Sequence, residues 1–105
     1  MKMVRAIVRP ETADNVTDGL AESGFYSMTK MGVFGRGKQK GLTVGNTHYD
    51  ELPKVLIIIV VQDQSVDEVI KIIHYKAYTG SEGDGKIFIS PVERVHTVRT
   101  GSNEL

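Results

Sequence analysis

A chain of 105 residues is long enough for one domain and too short for two. Thirteen basic and thirteen acidic residues leave no net charge, which disfavours a duplex or long-RNA partner that needs a cationic surface. The absence of cysteine excludes disulfides, thiolate metal sites and a cysteine nucleophile, and fits a reducing cytoplasm.

Met3–Val8 alternates Val4, Ala6 and Val8 with Met3, Arg5 and Ile7, the pattern of a half-buried strand. Its Arg5 and short apolar reach do not make a secretory signal. Pro10 stops the strand and suits the first turn of a helix. From Glu11 to Ser23, Ala13, Val16 and Leu20 fall at helical spacing, with Gly24 as the stop. Phe25–Phe34 has strand-like content.

Gly35–Asp50 is different. Glycines 35, 37, 41 and 45 recur among Arg36, Lys38, Gln39 and Lys40, with little apolar material to anchor the segment. A connection of this length inside a small domain is expected to be a mobile, basic loop. Pro53 ends it. Val55–Val61 is a continuous β-branched and aliphatic run, expected to be a central strand buried on both faces and far too short to span a bilayer. Ser65 with Glu68 reads as a capping box for a helix whose stripe is Val66, Val69, Ile70 and Ile73, ending near Tyr78. A glycine-rich turn from Thr79 to Gly85 precedes a strand over Lys86–Ile89. Pro91 breaks that strand, and Val92–Val98 forms a last short one. The order predicts an α+β, ferredoxin-like split βαβ domain spanning residues 1–105, with two helices on one face of an antiparallel sheet. The opposite face is left for an oligomer contact.

Two segments combine glycine with cations. Gly80–Lys86 satisfies the G-x-x-x-x-G-K part of a phosphate loop, but Ile87 follows where a hydroxyl should stand, and a helix precedes it instead of a strand. Its glycine amides beside Lys86 remain open to two readings, an anion-binding nest or a plain turn. Gly35–Gly41 collects Arg36, Lys38 and Lys40 around further glycines, and is either a solvated loop or an anion-binding arm. Gln39 could there ligate a hard metal through its side-chain oxygen. His48, His74 and His96 are scattered and make no zinc spacing. Tyr49 is a partner-contact residue or a modification acceptor. Neither a strained nucleophile turn nor a placed general base is visible, so an enzyme is not expected. An RNA-binding module would show aromatics on the central strand, and Val55–Val61 has none.

Thr79-Gly80, Gly83-Asp-Gly-Lys-Ile-Phe88, Ser90-Pro-Val92 and Arg99-Thr-Gly101 closely resemble the C-terminal half of the nitrogen-regulatory PII proteins. Val4–Pro10, Met28-Thr29, Gly35–Gly41 and Leu52-Pro-Lys-Val55 resemble the N-terminal half in the same order. The resemblance implies a trimer with ATP or ADP in clefts between neighbouring subunits. It implies nucleotide contacts at Thr29, Gly35, Gly37, Lys38, Gly83, Asp84, Gly85, Lys86, Phe88 and Arg99. It further implies Mg²⁺ held by the ATP phosphates and Gln39, with 2-oxoglutarate held by Gly37, Gln39, Lys40, Gly41 and Lys54. The chain departs from the family pattern at Thr97, where an arginine is usual, and at Lys38, where many members have arginine. The Gly41–Leu52 segment is shorter than in the usual bacterial members and resembles the nitrogenase-linked variants of methanogenic archaea. Those act with a sister PII protein on dinitrogenase, so the expected partner is nitrogenase. An ammonium channel or a biosynthetic kinase is the alternative target.

Overall fold

The computed structural model describes residues 1–38 and 40–105. The elements in chain order are β1 (Lys2–Val8), α1 (Pro10–Glu22), β2 (Met28–Gly35), β3 (Leu42–Val44), β4 (Thr47–Tyr49), β5 (Leu52–Val61), a 3-10 turn (Asp63–Ser65), α2 (Val66–Ala77) and β6 (Gly85–Pro91). Four of the strands form an antiparallel sheet in the order β2-β5-β1-β6, while β3 and β4 make a separate hairpin. The expected β-α-β-β-α-β arrangement is present. The hairpin lies in the connection between the second and third strands of the main sheet.

Each helix forms where its stripe requires a floor. Pro10 opens α1, and the Arg9 carbonyl accepts both the Thr12 amide at 3.1 Å and the Thr12 hydroxyl at 3.2 Å. Ala13, Val16 and Leu20 of α1 and Val69, Ile73 and Ala77 of α2 are buried together on Val4, Ala6, Val8, Ile57, Ile59 and Val61 of the sheet. Burying each large aliphatic side chain contributes about 1.5–3 kcal/mol, so this single layer carries the fold.

The other sheet face is uncovered. Paired residues share a face, so Thr29, Ile58, Arg5 and Phe88 form one row across it, and Met31, Leu56, Ile7 and Lys86 the next. This corrects the expectation that Val55–Val61 is buried on both sides: Ile57, Ile59 and Val61 are buried, whereas Leu56, Ile58 and Val60 are only half-buried. The run is continuously apolar because its second face is also largely apolar, yet no helix covers it. The chain exposes 7405 Å², against about 5,800 Å² expected for a compact monomer of its mass.

Other local expectations are also revised. Gly35–Asp50 holds regular structure after all, because Leu42 pairs with Tyr49, Thr43 with His48 and Val44 with Thr47. His48 fastens one face of that hairpin, its Nδ1 lying 2.8 Å from the Thr43 hydroxyl and its Nε2 3.1 Å from Asp50. Pro53 lies inside β5, opposite Phe34 of β2. The strand tolerates it because β1 pairs only from Val55 onward, so β5 has a single neighbour there. Pro91 is likewise the last residue of β6, an edge strand. Ser65 makes no side-chain cap, because it ends the 3-10 turn with helical backbone angles that do not suit an N-cap. Val92–Val98 is not a strand. Both edges of β1 are taken by β5 and β6, and after Val92 donates to the Met1 carbonyl the tail folds on itself, Gly101 donating to Thr97 and Thr97 to Ser102.

The N-terminus is anchored. The Met1 ammonium lies 2.9 Å from Asp63, and Lys2 lies 3.5 Å from the same carboxylate. The hydrogen bond from the ammonium, followed by the charge of Lys2, holds the Asp63 carboxyl below its ordinary range. Acetylating the α-amine is expected to lower Tm by about 1–3 °C, the scale of an exposed ion pair. Asp63→Asn should do the same, and the two changes together should cost no more than one. Additive shifts in a thermal melt would show that the pair does not hold the terminus.

Candidate functional site

The sheet ends where β2, β5, β1 and β6 bring Gly35, Leu52, Val8 and Gly85 to one edge. Two side chains stand between the outer strands there. Lys54 of β5 donates from Nζ to the Gly83 carbonyl at 2.8 Å. Arg9, the last residue before α1, donates from Nε to Asp84 Oδ1 at 3.1 Å and from Nη2 to the Glu82 carbonyl. Both cations crowd Gly83. A Cβ placed on it would sit 3.3 Å from Arg9 Nη2 and 3.4 Å from Lys54 Nζ, and its φ of +94° is in any case unfavourable for other residues. Without a side chain, Gly83 lets two positive charges close in on the turn and form a cation-lined cradle there.

Asp84 organises the turn behind that cradle. Its carboxylate accepts the Thr79 hydroxyl, the Thr79 amide at 2.7 Å, the Gly80 amide at 2.9 Å and Arg9. These donors, the Thr79 hydroxyl and amide foremost, hold the Asp84 carboxyl well below the usual carboxylate range, against the opposing effect of burial. Its stabilising contribution is therefore complete above the ordinary carboxylate pKa of about 4 and fades as pH falls toward the lower folded value. Lys54 is shifted down from the usual lysine value by burial first and by repulsion from Arg9 second, with Glu11 and Asp84 partly compensating. An anion entering the cradle would relieve both penalties.

The electrostatic setting of the sheet favours the same ligand class. Its open face carries Arg5, Lys54 and Lys86, with Arg9 just beyond β1, and the paired register places no Asp or Glu there. This face of the sheet is thus cationic although the chain as a whole carries no net charge.

The expected site residues divide into groups. Gly83, Asp84, Gly85 and Lys54 meet directly. Gly35 ends β2 at the same sheet edge, with exposed Gly37 and Lys38 following. The Lys40 amide donates to the Gly37 carbonyl at 3.1 Å, and Gly41 packs against the Tyr49 carbonyl at the hairpin base. Gln39, expected to ligate Mg²⁺, lies outside the described residues. The β2 and β6 edges are three strand spacings apart, about 14 Å. Thr29 and Phe88 share a row of the open face well away from that edge, and Arg99 lies in the exposed terminal turn. One chain therefore brings together only part of the expected nucleotide set.

Arg9 and Thr79 are the site residues that sequence reasoning missed. Arg9 falls between the predicted strand Met3–Val8 and Pro10, in no motif, and its partner is 75 positions away. Only the pairing of Val8 with both Val55 and Gly85 puts it beside Lys54 and the turn.

Residues 1–102 match the profile of the family described as nitrogen regulatory protein P-II. The chain belongs to that family. Among the relatives of this P-II member is "Nitrogen fixation nifHD2 region GlnB-like protein 1" of Methanosarcina barkeri, 62% identical over 105 residues and the whole of both chains. The "nifHD region glnB-like protein 1" of a Methanococcus maripaludis strain is 57% identical over 102 residues, 97% of each chain. That of Methanobacterium ivanovii is 53% identical over 105 residues, again covering both chains fully. The similarity to nitrogen-fixation-linked P-II proteins of methanogens thus spans the chain from β1 to the terminal turn. Among the described residues no His, Asp and Glu group is arranged to hold a metal by itself, and no helix is long and apolar enough to cross a membrane.

Proposed function

We propose that this protein is a nonenzymatic cytoplasmic sensor of ATP or ADP and 2-oxoglutarate that regulates nitrogen fixation by direct contact with nitrogenase. The observation that carries it is the convergence of Arg9 and Lys54 on the glycine turn at Gly83, in a member of a nitrogen-regulatory family. A dicarboxylate needs one fixed cation for its distal end, and Lys54 supplies it. The amides of the turn and Lys86 suit phosphate oxygens. The nearby Asp84 carboxylate is taken up by Arg9, Thr79 and Gly80, so the ion would rest on nucleotide phosphates and Gln39, bridging the two effectors.

Assembly completes the site. Because Thr29 and Phe88 are remote from the sheet edge in their own chain, they reach the nucleotide only across a contact between subunits. The apolar open face and the surplus surface supply that contact, in a homotrimer or a trimer shared with a sister P-II chain. The projecting hairpin, with Leu42, Val44 and Tyr49 exposed, is the arm that meets the target. Effector binding at its base and target binding at its tip are then linked by one coupling free energy, typically about 1–3 kcal/mol.

Gln39→Ala is expected to abolish Mg²⁺-dependent 2-oxoglutarate binding while leaving most of the nucleotide affinity. Calorimetry showing an unchanged 2-oxoglutarate affinity in that variant would overturn the site. A pull-down with ATP, with and without 2-oxoglutarate, tests the target; recovery of an ammonium transporter instead of nitrogenase would move the regulation elsewhere.

A further inference from the structure

Arg9 is built into the protein more firmly than a surface arginine needs to be. It follows Val8, which pairs on both sides, and precedes Pro10, whose ring fixes the backbone angle φ. Its carbonyl is held by Thr12 from two directions. From that fixed base the guanidinium reaches two acceptors in different residues, the Asp84 carboxylate and the Glu82 carbonyl. Asp84 in turn grips the amides of Thr79 and Gly80, at the far end of the turn. One planar fork therefore ties both halves of the Thr79–Gly85 turn to the β1–α1 junction.

We infer that Arg9 is a positioning residue, a strut that holds the Thr79–Gly85 turn in the shape that presents its backbone amides to phosphate. This rests on the reading of that turn as the nucleotide site. The physical need is plain. Gly80, Gly83 and Gly85 give the turn a large conformational entropy when free, and a backbone anion site binds well only if its amides are aligned beforehand. Asp84 alone cannot align it, because the carboxylate sits on the same flexible segment as the groups it holds. Arg9 links that segment to a rigid element. A lysine would not substitute, since a single ammonium on a flexible stem cannot engage the carboxylate and the carbonyl together in one plane.

The test is calorimetric titration of the full-length protein with ATP, together with amide hydrogen exchange in the absence of ligand. Arg9→Lys should weaken ATP binding about tenfold or more, the loss of one charge-assisted hydrogen bond. Asp84→Asn should weaken it similarly by cutting the strut from the other end, and the double variant should bind no worse than the weaker single one. The Thr79 and Gly80 amides should exchange faster in both single variants, while amides of β1 and β5 do not. ATP affinity in Arg9→Lys equal to that of the unchanged protein would overturn the inference, as would fully additive losses in the double variant. If Arg9→Lys does not fold, Asp84→Asn alone decides the matter by the same two readouts. A protein that binds no ATP before any substitution defeats the sensor reading itself, and this inference with it.

Discussion

Replacing Gly85 by alanine is expected to destabilise the protein by about 3–5 kcal/mol, a large share of the stability of a domain this size. Gly85 opens β6 opposite Val8, with φ at +122°. A Cβ there would lie 1.9 Å from the Ile7 carbonyl oxygen and 3.2 Å from the Val8 Cα. Both are backbone atoms of the strand that anchors the sheet, so no side chain can swing aside to make room. The chain must either unpair the start of β6 or shift β1, and a shift of β1 disturbs its register with β5. Gly32→Ala is the control. It lies in β2 with ordinary backbone angles and nothing within 4 Å of its added Cβ, so its stability should change little. Denaturant unfolding should show a much lower midpoint for Gly85→Ala with an unchanged slope. A midpoint within measurement error of the parent protein would mean the sheet edge yields far more easily than its geometry implies.

Lys54→Gln should reduce 2-oxoglutarate affinity by about thirtyfold or more while leaving the fold intact. The cost follows from stranding a ligand carboxylate in a half-buried cradle without its counter-charge, about 2–5 kcal/mol for such a pair. Removing Lys54 also ends its repulsion with Arg9, so the free protein should be as stable as before or slightly more so. The pH dependence follows the same chemistry. Only the ammonium form binds the carboxylate, and burial and Arg9 have lowered the lysine's pKa from 10.5. Affinity should therefore decline as pH rises through that lowered value, earlier than for an ordinary lysine. Because the bound anion favours the ammonium, binding in the alkaline range should take up protons, measurable by calorimetry in buffers of different ionisation heat. A flat affinity across that range, or near-parental binding by Lys54→Gln, would remove Lys54 from the site.

Much of this architecture is legible without coordinates because it depends on local rules. Periodicity at Ala13, Val16 and Leu20 placed α1, and alternation at Val4, Ala6 and Val8 placed β1. The glycine punctuation at Thr79–Gly85 marked the turn that became half of the candidate site. Where those rules ran out, the reasons were physical. A continuous run such as Val55–Val61 cannot distinguish a second buried face from an uncovered apolar one, since both need the same residues. Val92–Val98 has strand composition, but it follows β6 past β1 and its backbone groups find partners within the tail itself, which no local pattern announces. The hairpin of Leu42–Tyr49 was hidden by the glycines around it, although Leu42, Val44 and Tyr49 fall on one face.

The amino-acid sequence by itself determined the family, the order of elements and the glycines and lysines that make an anion site possible. Those features follow from side-chain periodicity, from the special backbone angles of glycine, and from residue types quoted in fixed order. Only the tertiary structure decided that Arg9 stands beside Lys54 and the glycine turn, that the Asp84 carboxylate is engaged by Thr79, Gly80 and Arg9, and that Thr29 and Phe88 lie in a row of the open face away from that edge. Each of these depends on strand register, which brings together residues as far apart as Arg9 and Asp84 through hydrogen bonds that no local pattern encodes.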